Sequence, residues 1–142
     1  MIFTIGYEGK TIDDFINILK KNTVKTLIDV RELPLSRKKG FSKKKLNEAL
    51  AENGIQYIHL KSLGDPKPLR DKIKKKAISW QIFEIQYRKH AISNMDSVEK
   101  VVELNHNNRV CMMCFERDHT ECHRSIISDI IQKDFAENVY HL

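Results

Sequence analysis

The stretch RVCMMCFERDHTECHRSIISDIIQ, residues 109–132, holds all three cysteines of the chain together with two histidines, three arginines and two glutamates. That concentration of sulfur, imidazole, guanidinium and carboxylate admits three chemistries. Zinc accepts sulfur and imidazole, and Cys114, His119, Cys122 and His123 offer both at a C-x4-H-x2-C-H spacing. No second half-site stands elsewhere, and on a strand Cys111 and Cys114 would point to opposite faces and could not share an ion. The expectation is therefore a site without metal or cofactor.

Covalent chemistry is better motivated. Cys122, beside His123 and Arg124 at the start of an expected helix, has the surroundings that favour a thiolate. Cys114, at the end of an expected strand, is the alternative nucleophile, and Glu116 suits a general base or a partner that orients an arginine. Anion recognition asks least, because Arg31 after a strand and Arg124 in a first helical turn supply rigid bidentate donors for phosphate or carboxylate. An arginine in a first turn opposes the helix dipole, a cost of about 0.3–1 kcal/mol that a bound anion would offset. The candidate catalytic set is Cys114, Glu116, Cys122 and Arg124.

These groups need a scaffold. IFTI (2–5) reads as a strand ending at Gly6, and Ile12, Phe15, Ile16 and Leu19 follow at helical spacing behind a cap-like Thr11 and Asp14. TLIDV (26–30), IQYIHL (55–60), RVCMMCF (109–115) and NVYHL (138–142) read as further strands. Helices are expected after Ser42, with Leu46, Ala49 and Leu50 inward, over AISWQIFEIQYRKHAIS, over SVEKVVELNHN and over CHRSIISDIIQ. In the second of these Ile78, Ile82, Ile85 and Ala91 are the inward candidates, while 61–76 reads mostly as loop because of its prolines. Trp80 and Phe83 read as core or lid.

Strands separated by helices predict a single Rossmann-like α/β domain over residues 1–142, a three-layer sandwich on a mostly parallel five-stranded sheet of order 3-2-1-4-5. Ligands of such sheets bind at the switch point, here between strands one and four, which brings Gly6–Lys10, Arg31–Glu32 and Cys114–Arg124 to one rim.

At 142 residues the chain is long enough to bury roughly 68–70% of its unfolded surface and needs no staples. Three cysteines, an odd number, argue against a disulfide framework and for thiols in a reducing compartment. No apolar run is long enough to span a membrane, and the N-terminus lacks the pattern of a signal peptide, so a cytoplasmic protein without a membrane partner is expected.

The net charge of +6 is uneven: residues 1–76 carry 18 Lys and Arg against 9 Asp and Glu, and the rest carry 7 against 10. The excess sits in two clusters, Arg37, Lys38, Lys39, Lys43, Lys44 and Lys45, and the run Arg70–Lys76. Such clusters attract polyanions without reading sequence.

The segments TIGYEGKTIDDFINIL, TLIDVRELPLSRKKGFSKKKL, GIQYIHLKSLG and VCMMCFERDHTECHRSIISDII, taken in order, resemble the domain-of-unknown-function 488 family of small bacterial and archaeal proteins. The resemblance implies an α/β fold and a pocket using Gly6, Tyr7, Asp29, Arg31, Leu63, Gly64, Cys114, Glu116, Cys122, His123, Arg124 and Ser125, and it implies no particular reaction. The anion-binding candidates are then Gly6, Tyr7, Arg31, His123, Arg124 and Ser125. The expected function is a hydrolase, a transferase or a binder for a phosphorylated small molecule, a nucleotide or a nucleic-acid end. The alternative is a non-catalytic nucleic-acid-binding module that uses the basic clusters 37–45 and 70–76. Oligomeric state cannot be read from these residues.

Overall fold

The computed structural model describes residues 1–142. In chain order they form β1 (Ile2–Gly6), α1 (Ile12–Lys21), β2 (Thr26–Asp29), α2 (Lys43–Glu52), β3 (Gln56–His59), α3 (Lys67–Lys74), α4 (Trp80–Ile92), α5 (Met95–Asn107), β4 (Val110–Cys114), α6 (Arg124–Phe135) and β5 (Val139–His141). All five strands run parallel in the order β3-β2-β4-β1-β5.

Strand order corrects the expected 3-2-1-4-5: β4 inserts between β2 and β1. Its sequence VCMMC is apolar throughout and every residue is buried, the pattern of a strand covered on both faces and therefore central. Right-handed crossovers explain the layers. The connections β1 to β2 to β3 move one way across the sheet and those from β3 to β4 to β5 move the other way, so their helices pack on opposite faces. On one face Phe15, Ile16, Leu19, Leu46 and Leu50 of α1 and α2 meet Phe3, Ile5, Leu27, Cys111 and Met113. On the other, Phe83, Tyr87, Val98, Val101, Ile126, Ile127, Ile130 and Ile131 of α4, α5 and α6 meet Ile2, Ile28, Met112 and Cys114.

Local chemistry sets the helix starts. The Thr11 hydroxyl accepts the Asp14 amide at 3.1 Å, and the Ser79 hydroxyl accepts the Ile82 amide at 3.2 Å. Residues 61–76 are not mainly loop. They form a 3-10 turn (Lys61–Leu63) and α3, because Pro66 stands at the N-cap and Pro68 in the first turn, where a missing amide costs nothing. Within α4 the inward face is Phe83, Tyr87 and Ala91, while Ile82 and Ile85 are 44% and 58% exposed and so correct the expectation. The aromatic rings won the core positions. No helix is long and apolar enough to cross a membrane.

Strand ends are flush where it matters. Gly6 lies opposite Cys114, and Asp29 opposite Met113, so the loops after β1, β2 and β4 leave the sheet side by side. The helices that follow β1 and β2 lie on the face opposite to the one that follows β4, which opens the crevice of a switch point at the carboxyl end of β4.

Candidate active site

A cleft of about 580 Å³ occupies that crevice. Tyr7, Arg31, Cys114, Glu116, Cys122 and His123 line it from the sheet, and α3 together with Trp80 and Phe83 of α4 forms the facing wall. Trp80 and Phe83 stack with ring centroids 4.8 Å apart, so they cover the cleft as a unit. Four cations and five carboxylates line it, a mixed charge that favours local recognition over general attraction of polyanions.

Two close backbone approaches seal its base. A Cβ at Gly6 would overlap the carbonyl of Glu116, and one at Gly64 would overlap the backbone of Glu32. Glycine is required at both places for room, and each brings the loop after one strand onto the loop after another.

Cys114 and Cys122 meet on the floor. The structure pairs them as a disulfide, with Cα atoms 7.6 Å apart. This corrects the expectation of three thiols; Cys111 alone is free, on the opposite face. Cys111 is inert by position: burial pushes its thiol well above the usual range. Cys114 and Cys122 are 1% and 2% exposed, so the partial exposure expected of a thiolate at Cys122 is not found, although both border the cleft.

The polar groups around the two sulfurs have defined roles. Arg124 Nη1 donates to Cys114 Sγ at 2.9 Å and to the Glu116 carbonyl at 2.6 Å; Nη2 donates to the Arg117 carbonyl at 3.2 Å, and Nε to the Thr4 hydroxyl at 3.2 Å. His123 Nε2 is 2.8 Å from the Val30 carbonyl, which can only accept, so that nitrogen carries the proton. The lone pair of Nδ1 is then left near Cys122 Sγ at 3.7 Å and near an Asp65 oxygen at 3.8 Å. Glu116 Oε2 lies 3.5 Å from Cys114 Sγ. Burial raises the Glu116 pKa and the Asp65 charge adds to this, while His123 and Arg124 pull it down. Ser125 stands behind the floor, its hydroxyl donating to the Cys122 carbonyl at 2.8 Å.

Arg31 and Arg124 do not converge. Alternation along β2 sends Asp29 and Arg31 to the α1 and α2 face, where Arg31 grips both Asp29 oxygens at 2.9 and 2.8 Å and donates to the Phe41 carbonyl at 2.8 Å and the Tyr7 hydroxyl at 3.3 Å. Burial alone would lower the Arg31 pKa, but the bonds and charge of Asp29 raise it, so it is a permanent cation. Arg124 lies on the α6 face, fully buried and absent from the cleft lining. The expected two-arginine anion clamp is thus replaced by two arginines that hold loops in place.

The sequence did not single out Asp65, which follows Gly64 among loop-forming residues, or Thr4, one residue in an apolar run. Only their placement beside His123 and Arg124 reveals them. Arg70 was visible only as part of a charge run. Its Nη1 binds Glu32 and the Asp65 carbonyl at 3.2 and 2.6 Å, leaving Nε and Nη2 with no partner in the chain.

Cys114, Glu116 and Cys122 offer two sulfurs and a carboxylate oxygen within 4.8 Å of one another, a set that zinc accepts. His119 leaves that set, because it stacks on His141 with centroids 3.6 Å apart. With Arg124 already donating to Cys114, the purified chain should carry well under one zinc per molecule; elemental analysis of untagged protein checks this.

His141 makes the stacked pair sensitive to acid. Burial, with help from His119 and Arg124, lowers its pKa from 6.5 to about 4. A folded-state value below the unfolded one gives stability that is present above about pH 6.5 and lost as pH falls toward 4. Chemical denaturation across that window should show the decline, and His141→Asn should flatten it.

No curated protein and no solved structure matches the chain. One family model does, that of the domain of unknown function DUF488, and it matches residues 11–131. That span takes in β2 through β4, the helices between them and the whole Cys114–Arg124 loop. The chain belongs to the DUF488 family.

Proposed function

We propose that the protein is an enzyme of the transferase or hydrolase kind, acting in the cleft at the carboxyl end of β4 on a small molecule that bears a phosphate or carboxylate. One observation carries this reading: Cys114, Glu116 and Cys122 meet at the floor of the switch-point cleft with a base of fixed tautomer, His123, against Cys122. With the Cys114–Cys122 bridge reduced, Cys122 is the nucleophile. His123 Nδ1 takes its proton, Asp65 stabilises the resulting imidazolium, and Arg124 holds the Cys114 side of the site.

Recognition of the anionic group falls to the α3 wall, where Arg70 has donors to spare and Lys74 forms no ion pair. Tyr7 and Arg31 shape the opposite side through their mutual bond. A thermal-shift screen of nucleotides, sugar phosphates, small carboxylates and oligonucleotides tests the reading. A ligand at a hundred times its Kd adds about 2.7 kcal/mol. At least one phosphate or carboxylate compound should raise Tm, and the rise should vanish in Arg70→Ala. No shift with any of them, or a shift that survives in Arg70→Ala, overturns it.

A second reading, nucleic-acid binding, is favoured by the cluster after β2. Arg37, Lys38, Lys39, Lys43 and Lys44 make no ion pair, and Lys45 has only a 3.7 Å contact with Glu48. Generic duplex binding is expected, with log affinity falling steeply as salt rises toward physiological strength. A flat response removes it.

A further inference from the structure

We infer that Cys114 and Cys122 are a redox-active pair and that the cleft performs thiol–disulfide exchange on a small disulfide carrying anionic groups. This rests on the nucleophilic cleft of the proposed function and replaces group transfer or hydrolysis there with exchange on a disulfide. Acyl or phosphoryl transfer needs one nucleophile and has no use for a second thiol within bonding contact of the first. Disulfide chemistry does, because the second thiol resolves the mixed disulfide formed on the first.

Two features distinguish this pair from a structural staple. Both cysteines border the cleft. Each sulfur also has its own polar partner, Arg124 at 2.9 Å from Cys114 and His123 Nδ1 at 3.7 Å from Cys122. A bridge that only braced the fold would need neither.

The exchange balances with the groups present. The Cys122 thiol gives its proton to His123 Nδ1, and the thiolate attacks one sulfur of R–S–S–R′. A Cys122–SR bond forms, the substrate S–S bond breaks, and R′S⁻ departs with the proton from the imidazolium. The Cys114 proton passes to the Glu116 carboxylate, 3.5 Å away, leaving a thiolate under the Arg124 guanidinium. That thiolate attacks the Cys122 sulfur; the Cys114–Cys122 bond forms, and RS⁻ leaves with the proton held by Glu116. Two electrons pass from the dithiol to the substrate, which becomes two thiols. A dithiol donor returns the protein to its reduced form by the same exchange in reverse.

The test uses the full chain, reduced and freed of reductant, with glutathione disulfide as the probe under anaerobic conditions. Intact mass and peptide mapping read the products. The wild type should lose two thiols, gain a Cys114–Cys122 bridge and release two glutathiones per chain without a lasting adduct. Cys114→Ser should stop with one glutathione on Cys122, and Cys122→Ser should consume the probe at least tenfold more slowly. A melt of each variant checks folding, and the wild-type stoichiometry decides if a variant fails to fold. An adduct that persists on the wild type, or no loss of thiols, overturns the inference. So does stoichiometric zinc that leaves the thiols inert. If bridging fails while Cys122 still alkylates well below pH 8, the cleft enzyme stands and only the disulfide substrate falls.

Discussion

Arg124→Ala should destabilise the fold by about 3–5 kcal/mol, the scale of several lost hydrogen bonds from one buried charged donor. The guanidinium is fully buried and satisfies the Thr4 hydroxyl, Cys114 Sγ and the carbonyls of Glu116 and Arg117. Alanine leaves the buried Cys114 Sγ and the part-buried carbonyls of Glu116 and Arg117 without this donor, while the Thr4 hydroxyl keeps His141 at 2.6 Å; each orphan costs about 1–3 kcal/mol before relaxation. For a chain of this size the loss corresponds to a Tm lower by roughly 10–20 °C. Lysine keeps the charge but cannot serve β1, β4 and the loop after β4 at once, so Arg124→Lys should fall between. An arginine whose task was to bind an anion would behave differently, losing ligand at little cost in stability. Thermal and chemical denaturation of both variants separate the two roles.

Arg31→Ala should cost a comparable amount, about 3–5 kcal/mol, for a related reason. Asp29 has no exposed surface, and Arg31 contacts both of its oxygens. Without the guanidinium the carboxylate keeps only the Tyr57 hydroxyl at 2.6 Å and the residue-31 backbone amide at 3.1 Å. The partner substitution gives the diagnostic. Asp29→Asn in the Arg31→Ala background should recover part of the loss, because it removes the uncompensated charge, and a double-mutant cycle should show strong coupling. Additive effects would mean that the pair is not what holds the loop after β2. The same substitution should loosen Tyr7, which stacks on Phe41 with centroids 4.5 Å apart and whose hydroxyl receives an Arg31 bond.

The two arginines also show where reading the sequence stopped. Periodicity identified the strands, the helix over CHRSIISDIIQ and the rim that gathers the loops after β1, β2 and β4, because those depend on local pattern and crossover handedness. It did not reveal that Asp29 and Arg31, two apart on an extended segment, share a face and neutralise each other. Nor did it reveal that Arg124 turns into the sheet. Helical position alone does not tell whether a first-turn arginine points to a ligand or to the ends of neighbouring strands. Strand order failed for a similar reason: placing β4 between β2 and β1 depends on the burial of both its faces, a property of the assembled sheet. Residues 61–76 were misread because proline was taken as a breaker when Pro66 and Pro68 stand where a helix begins. The meeting of Cys114 and Cys122 needs the loop after β4 to fold back, which eight residues of separation permit but do not specify.

The central claim, a nucleophilic thiol at the floor of the switch-point cleft, is tested most directly by peptide-resolved alkylation of the reduced chain across pH. Cys122 should react well below pH 8 and faster than the same peptide in the unfolded chain, while Cys111, buried on the opposite face with its thiol pKa pushed up, stays unlabelled until the protein unfolds. Cys114 and Cys122 both reacting no faster than the unfolded control would contradict the account.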